Sequence, residues 1–269
     1  MAMNRVVTDE DRYDRQKRVE NWDQECISNA KCLVIGAGAL GNEVVKNLAQ
    51  LGIKRIYLVD FDDVVMANLN RCVLLREEDV IEGATKAKAI SERIKRINSE
   101  TEIIPIEQMV EEVDEEIYDK ADVVISCLDN IAARLHVNGY AYARTKPLID
   151  GGIDGLFGKV QVVIPPRTAC IECTMSKRDY QNMWKRYSCS LEEISAVEKK
   201  MPALPTTTSI IAGIQIQEFI KIMHEIKGKN MGETMGGKLW TYNGANEEVD
   251  ILHIEKRKKC NVCGFFGCE

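Results

Sequence analysis

The chain is short of aromatic residues, which make up 6% of it, and it holds only three histidines. His136 and His224 fall in helical stretches and His253 in a strand, so nothing suggests a Ser-His-Asp hydrolase. No apolar run reaches the ~18 residues that a membrane span needs. The first residues, MAMNRVVTDEDRYDRQKRVE, are charged and lack the apolar centre of a secretory signal, so a cytoplasmic protein without a membrane partner is expected. Basic excess is missing too: the net charge is -6, which argues against nucleic acid as a partner. There is no internal repeat and no long linker. What remains, 269 residues with 45% hydrophobic and 29% charged, is enough for one sizeable core.

Cysteine, by contrast, is plentiful at ten. In an intracellular chain metal binding or catalysis explains cysteines better than disulfides do. Two pairs have CxxC spacing, Cys170-Ile171-Glu172-Cys173 and Cys260-Asn261-Val262-Cys263. Four such thiolates fit a tetrahedral Zn2+ site with no open position, a structural staple and not a catalyst. A thioredoxin-type dithiol would need a βαβ unit around one pair, and neither has it. Cys32 and Cys127 belong to expected core strands, where a thiol acts as a small hydrophobe. Cys26 lies on a charged helix and Cys72 beside a loop treated below. Cys268, near the end, is able to join or replace a zinc ligand.

Residues 10–30 read as a charged amphipathic helix. Apolar runs at 31–36, 55–60, 102–106, 122–126 and 147–150 alternate with helical patterns at 40–51, 84–97 and 130–144. That alternation predicts an α/β fold with a doubly wound, mainly parallel Rossmann-like sheet. A strand over 158–164 ends at Pro165-Pro166. Thr206–Met223 is a helix opened by Pro205 and a run of threonines able to cap it. Strands near 238–243 and 249–254 extend the sheet. The expected organisation is one domain over 1–269: an arm at 1–30, a nucleotide-binding core at 31–164, a crossover loop at 174–205, and a C-terminal part at 206–269.

Gly36-Ala37-Gly38-Ala39-Leu40-Gly41 is GxGxxG between a strand and a helix, the context in which amides and a helix N-terminus receive phosphate. Asp60 ends the next strand, where a carboxylate accepts from ribose hydroxyls. This much alone fits an NAD(P)-dependent oxidoreductase. The following residues do not: Asp62, Asn68, Asn70 and Arg71 crowd one loop, Lys86 opens the next helix, and Asp129 and Asn130 follow a strand end. Two cations beside an acid able to hold Mg2+ make a polyphosphate site.

Arg12-Tyr13-Asp14-Arg15-Gln16, the glycine motif, Asp60-Phe61-Asp62, Asn68-Leu69-Asn70-Arg71, Lys86 and Cys127-Leu128-Asp129-Asn130 occur in one order along the chain. In this the chain resembles the ubiquitin-activating enzyme superfamily, which includes the adenylyltransferases of bacterial molybdopterin and thiamine synthesis. The resemblance runs from about residue 10 to the last CxxC. It implies ATP and Mg2+ as cofactors, Asp60 and Asp62 on the ribose, Asn68, Arg71 and Lys86 on the phosphates, and Asp129 on the metal. It also implies a homodimer in which Arg15 reaches the neighbour's ATP site, and a zinc site at the paired CxxC motifs. The reaction implied is adenylation of the C-terminal glycine carboxylate of a ubiquitin-like or sulfur-carrier protein ending in Gly-Gly. A thioester on an enzyme cysteine would follow in ubiquitin-type activators, with a conjugating enzyme as a further partner. The candidate nucleophile is Cys189, which lies beside Lys185 and Arg186, and nearby cations favour the thiolate. Cys189 precedes the Leu204-Pro205-Thr206-Thr207 run by more of the chain than the resemblance leads one to expect. An idle Cys189 would fit the sulfur-carrier branch, and a non-catalytic partner subunit is disfavoured because the ATP-site residues are all present.

Overall fold

The computed structural model describes residues 11–176 and 201–264. Eight strands form one sheet in the order β3-β2-β1-β4-β5-β6-β7-β8. Lys31–Ile35 (β1), Arg55–Val59 (β2), Glu102–Ile106 (β3), Val123–Ser126 (β4) and Leu148–Asp154 (β5) pair in parallel. Phe157–Val163 (β6), Lys238–Asn243 (β7) and Glu248–His253 (β8) continue the sheet antiparallel. The doubly wound reading therefore holds for the nucleotide-binding half, and the mainly parallel sheet has an antiparallel extension.

The described helices are Asp14–Lys17 (α1), Gln24–Asn29 (α2), Ala39–Leu51 (α3), Glu77–Ile81 (α4), Lys86–Ile97 (α5), Glu116–Lys120 (α6), Ile131–Ala143 (α7) and Pro205–Ile226 (α8). Successive residues of a strand face opposite ways, so an all-apolar strand must be covered on both sides. Cys32 and Val34 of β1 pack with α3, α5 and α8, whereas Leu33 and Ile35 pack with α6 and α7. Val44, Val45 and Leu48 anchor α3 to the first of these cores and are fully buried. Burying each contributes about 1.5–3 kcal/mol.

Two local expectations are corrected. The helix expected over 10–30 is, from residue 11 onward, two short helices: Asn21 takes a left-handed φ of 64°, and Asp23 starts a new helix by accepting from the Cys26 amide. The threonines do not cap α8. Its N-cap is Leu204 with Pro205 in the first turn, and the Thr208 hydroxyl donates back to the Leu204 carbonyl at 2.7 Å. The expected crossover loop lies mostly outside the described residues.

One side chain fixes the turn between β1 and α3. Asn42 is fully buried; its amide donates to the Ala37 carbonyl at 2.7 Å and the Gly38 carbonyl at 3.0 Å, and its oxygen accepts from the Leu74 amide at 2.9 Å. Asn42→Ala would strand buried polar groups on two segments. The expected loss is about 2–3 kcal/mol in denaturant unfolding; a loss below ~1 kcal/mol would mean that the turn does not depend on it.

Candidate nucleotide cleft and thiol cluster

In sheets of this kind ligands sit beyond the carboxyl ends of the strands where the strand order reverses. Here that point lies between β1 and β4, and a cleft of about 1280 Å3 opens there. Every residue expected to bind nucleotide lines it, Gly41 excepted. The glycines have separate reasons. Gly36 has φ 96°, and a Cβ there would lie 2.8 Å from the Cys127 carbonyl oxygen. At Gly41 a Cβ would come within 1.9 Å of the Gly36 oxygen, so Gly41 lets α3 close onto its own turn. Gly38 has open space where its Cβ would be, and it faces the cleft as the N-cap of α3.

Asp60 does more than the sequence indicated. One carboxylate oxygen accepts from the Ala37 amide at 2.6 Å and the other from the Asp62 amide at 2.9 Å. It thus braces the glycine turn against the loop that follows β2. Burial pushes its carboxyl above the ordinary range, opposed by the Lys86 charge and the Ala37 amide. Lys86 is itself buried, pairs with Asp62, and donates its backbone N–H to the Asp62 carbonyl at 2.9 Å. Asn68 holds its loop in shape by accepting from the Val65 amide at 2.9 Å. Arg71 donates to the Ala67 carbonyl and the Asn70 side chain. Asn130 caps α7 through the Ala133 amide at 2.7 Å, which places the exposed Asp129 at the mouth of the helix.

A buried polar group behind Asp129 was not legible from spacing. The Arg134 guanidinium pairs with Asp150 at 2.6 Å and donates to the Leu128 carbonyl. Gln215 of α8 donates to the Ser126 and Ile149 carbonyls at 3.0 and 3.3 Å. Together they tie the ends of β4 and β5 to the turn carrying Asp129. Cys127 lines the cleft, but burial pushes its thiol well above the usual range, and Cys72 is pushed up to about 11 by burial. Neither is a thiolate at neutral pH.

Arg15 is not in this cleft. The Tyr13 ring lies against Gly52, its hydroxyl accepts from Asn98 at 2.9 Å, and Gln16 donates to the Leu51 carbonyl at 2.9 Å. These contacts dock α1 at the C-terminal ends of α3 and α5. The thirteen residues of α3 put about 20 Å of helix between that point and the glycine turn. Cys189 lies outside the described residues.

Cys170, Cys173, Cys260 and Cys263 meet with all four sulfurs within 4.8 Å of one another. Tetrahedral Zn–S bonds of about 2.3 Å require sulfurs about 3.8 Å apart, and the 3.5 Å and 3.3 Å separations of Cys170–Cys260 and Cys173–Cys263 are close to that. The cluster is compatible with zinc. Hydrogen bonding among the thiols lowers the titration of Cys173 and, with burial, raises that of Cys170. Lys256–Lys259, four basic residues in a row, run into Cys260 and oppose the thiolate charge. The Arg257 amide donates to the Cys173 sulfur at 3.4 Å.

Known proteins bear on this geometry. A family model described as the ThiF family matches residues 13–262. The chain belongs to the ThiF family. Among its relatives, the SUMO-activating enzyme subunit uba-2 of Caenorhabditis elegans is 38% identical over 151 residues, 55% of this chain and 26% of that protein. The NEDD8-activating enzyme E1 catalytic subunit of Arabidopsis thaliana is 36% identical over 158 residues, 54% of this chain and 34% of that protein. The match thus spans about a quarter to a third of the length of those relatives. The sulfur carrier protein ThiS adenylyltransferase of Escherichia coli K12 is 26% identical over 94% of both chains. In fold, the ThiF-family chain is similar to E. coli MccB crystallised with ATP, at a TM-score of 0.77 and 23% identity over 96% of this chain and 75% of that one.

If the thiol cluster holds structural zinc, purified protein contains about one zinc per chain, and a strong chelator removes it with loss of the cooperative melting transition. Metal analysis finding no zinc, or chelation leaving the melt unchanged, would overturn that assignment.

Proposed function

We propose that this chain adenylates the C-terminal glycine carboxylate of a ubiquitin-like or sulfur-carrier protein with ATP. One observation carries the reading: a helix N-terminus, two cations and a free-standing carboxylate converge on one cleft at the sheet's switch point. The amides of the 36–41 turn and the dipole of α3 receive phosphate oxygens. Arg71 and Lys86 neutralise the triphosphate, and Asp60 and Asp62 take the ribose side. Asp129, an exposed oxygen donor on the cleft wall, suits a hard cation and would hold Mg2+. When bound, that ion supplies positive charge to the phosphates. A carboxylate oxygen forms a bond to the α-phosphorus as the bond from that phosphorus to its bridging oxygen breaks, and pyrophosphate leaves with the electron pair. The carboxylate needs no proton removed, so the protein's work is alignment and charge neutralisation. An oxidoreductase does not need this cation pair.

Whether the acyl group then passes to Cys189 separates two branches. The SUMO and NEDD8 relatives favour a thioester by their greater identity over about half of this chain; the ThiS adenylyltransferase favours direct sulfur-carrier activation by matching nearly all of it. We place the chain in the first branch, with Cys189 as nucleophile. Incubation with Mg-ATP and a panel of Gly-Gly-ended carriers tests this. A reductant-sensitive adduct that is lost in Cys189→Ala is expected, whereas pyrophosphate exchange without an adduct moves the chain to the second branch.

The docking of α1 far from its own cleft supports a homodimer in which Arg15 serves the partner's site. Asp129→Ala should lower carrier-dependent pyrophosphate exchange at least ~100-fold while the protein stays folded. Arg15→Ala should be similarly impaired. Mixing the two variants should restore about a quarter of wild-type exchange, since half the dimers are mixed and each has one complete site. No recovery on mixing, with both variants folded, would place Arg15 outside the partner's cleft.

A further inference from the structure

Asp129 stands on a short turn, residues 127–130, between the end of β4 and the start of α7. The two sides of that turn are held differently. After Asp129, Asn130 caps α7 by a local bond of a kind open to any helix start. Before it, the Leu128 carbonyl accepts from one guanidinium nitrogen of Arg134. A peptide unit is planar, so anchoring the Leu128 oxygen fixes the plane that also contains the Asp129 nitrogen and Cα. Arg134 reaches back to Leu128 because side chains on a helix lean toward its N-terminus.

The other terminal nitrogen of Arg134 pairs with Asp150 at 2.6 Å. Asp150 is 1% exposed on β5, in register with Ser126 at the end of β4. The guanidinium fork thus ties the turn to two neighbouring strands. At Gly152, two residues further along β5, a Cβ would come within 2.8 Å and 3.1 Å of those same two nitrogens. The bare backbone there leaves the fork its room. Stability alone is a poor account of the pair. Asp150 Oδ1 and the Ser126 hydroxyl have no hydrogen-bond partner among the described residues. Burying two charges costs solvation, and apolar residues of similar size often serve a fold as well.

We infer that Arg134 and Asp150 are positioning residues, which aim the Asp129 carboxylate and so set the affinity for the Mg2+ that accompanies ATP. This rests on the adenylation reading, in which Asp129 holds the metal. Mg2+ takes ligands only near octahedral directions at about 2.1 Å, so a modest rotation of the Leu128–Asp129 peptide would cost it a donor. Neither residue of the pair needs to touch the ion or the nucleotide for this.

A fluorescent, non-hydrolysable ATP analogue is titrated into the full chain, in buffer with Mg2+ and in buffer free of it. Wild type should gain affinity from the metal. The double variant Arg134→Met, Asp150→Leu removes one charge of each sign and leaves the net charge unchanged. It should melt near the wild-type temperature and bind the analogue normally without Mg2+. Its Kd with Mg2+ should rise about tenfold, toward the metal-free value. Arg134→Lys keeps the charge but not the fork, and should lose the gain as well. Either variant keeping the wild-type gain, or losing affinity equally in both buffers, would overturn the assignment. A double variant that fails to fold would overturn it too, since the pair would then be structural. Asp129→Ala separates this role from the reading beneath it. Loss of the gain in Asp129→Ala but not in the double variant leaves the metal site standing and removes the positioning role. Retention of the gain in Asp129→Ala, or no gain in wild type, removes both. Should wild type gain affinity from Mg2+ and the variants lose it, yet no carrier support exchange, the positioning role stands and the adenylation reading falls.

Discussion

The nucleotide half depends on how closely two strand ends can approach. β1 and β4 are neighbours, and the turn leaving β1 has to pass over the carbonyl of Cys127 before α3 can begin. Gly36 and Gly41 permit the contact, and Asp60 and Asn42 hold it by pairing both the amide and the carbonyl of Ala37. Those pairings cost Asp60 its solvation, which burial registers as a raised titration. What the arrangement secures is a glycine turn and a helix N-terminus facing the cleft, a setting that favours phosphate.

The two faces of the sheet then divide the labour. α3, α5 and α8 pack on one side and hold the glycine turn and Lys86. On the other side α7 carries Arg134 and follows the Asp129 turn, and the thiol cluster lies at the edge of the same core. Cys170 and Cys173 follow β6, and Cys260 and Cys263 follow β8, so a metal there would tie the two ends of the antiparallel extension together. The cleft also extends over residues of β6, β7 and β8.

Much of this was legible in the sequence because it is local. A strand, GxGxxG and a helix in succession announce a phosphate turn, and paired CxxC spacing announces a four-thiol site. The unforeseen parts depend on contacts between distant segments. Nothing near Asn42 indicates that it reaches Leu74, and Arg134 and Asp150 become partners only once α7 lies over β5. Asp60 was read as a ribose ligand, and its bond to the Ala37 amide follows from β1 and β2 being adjacent. The single helix expected over 10–30 failed because periodicity is blind to one left-handed Asn followed by a capping Asp. Arg15 could be assigned only by resemblance, since its expected site is on another copy of the chain.

The central claim is that a carrier carboxylate attacks the α-phosphorus of ATP, and isotope transfer tests it most directly. A Gly-Gly-ended carrier labelled with oxygen-18 in its terminal carboxylate would be turned over with Mg-ATP, and the nucleotide product analysed by mass spectrometry. The account predicts AMP carrying one carboxylate oxygen, released with unlabelled pyrophosphate. Label appearing in inorganic phosphate alongside ADP, or carrier-dependent AMP formed without label, would contradict it.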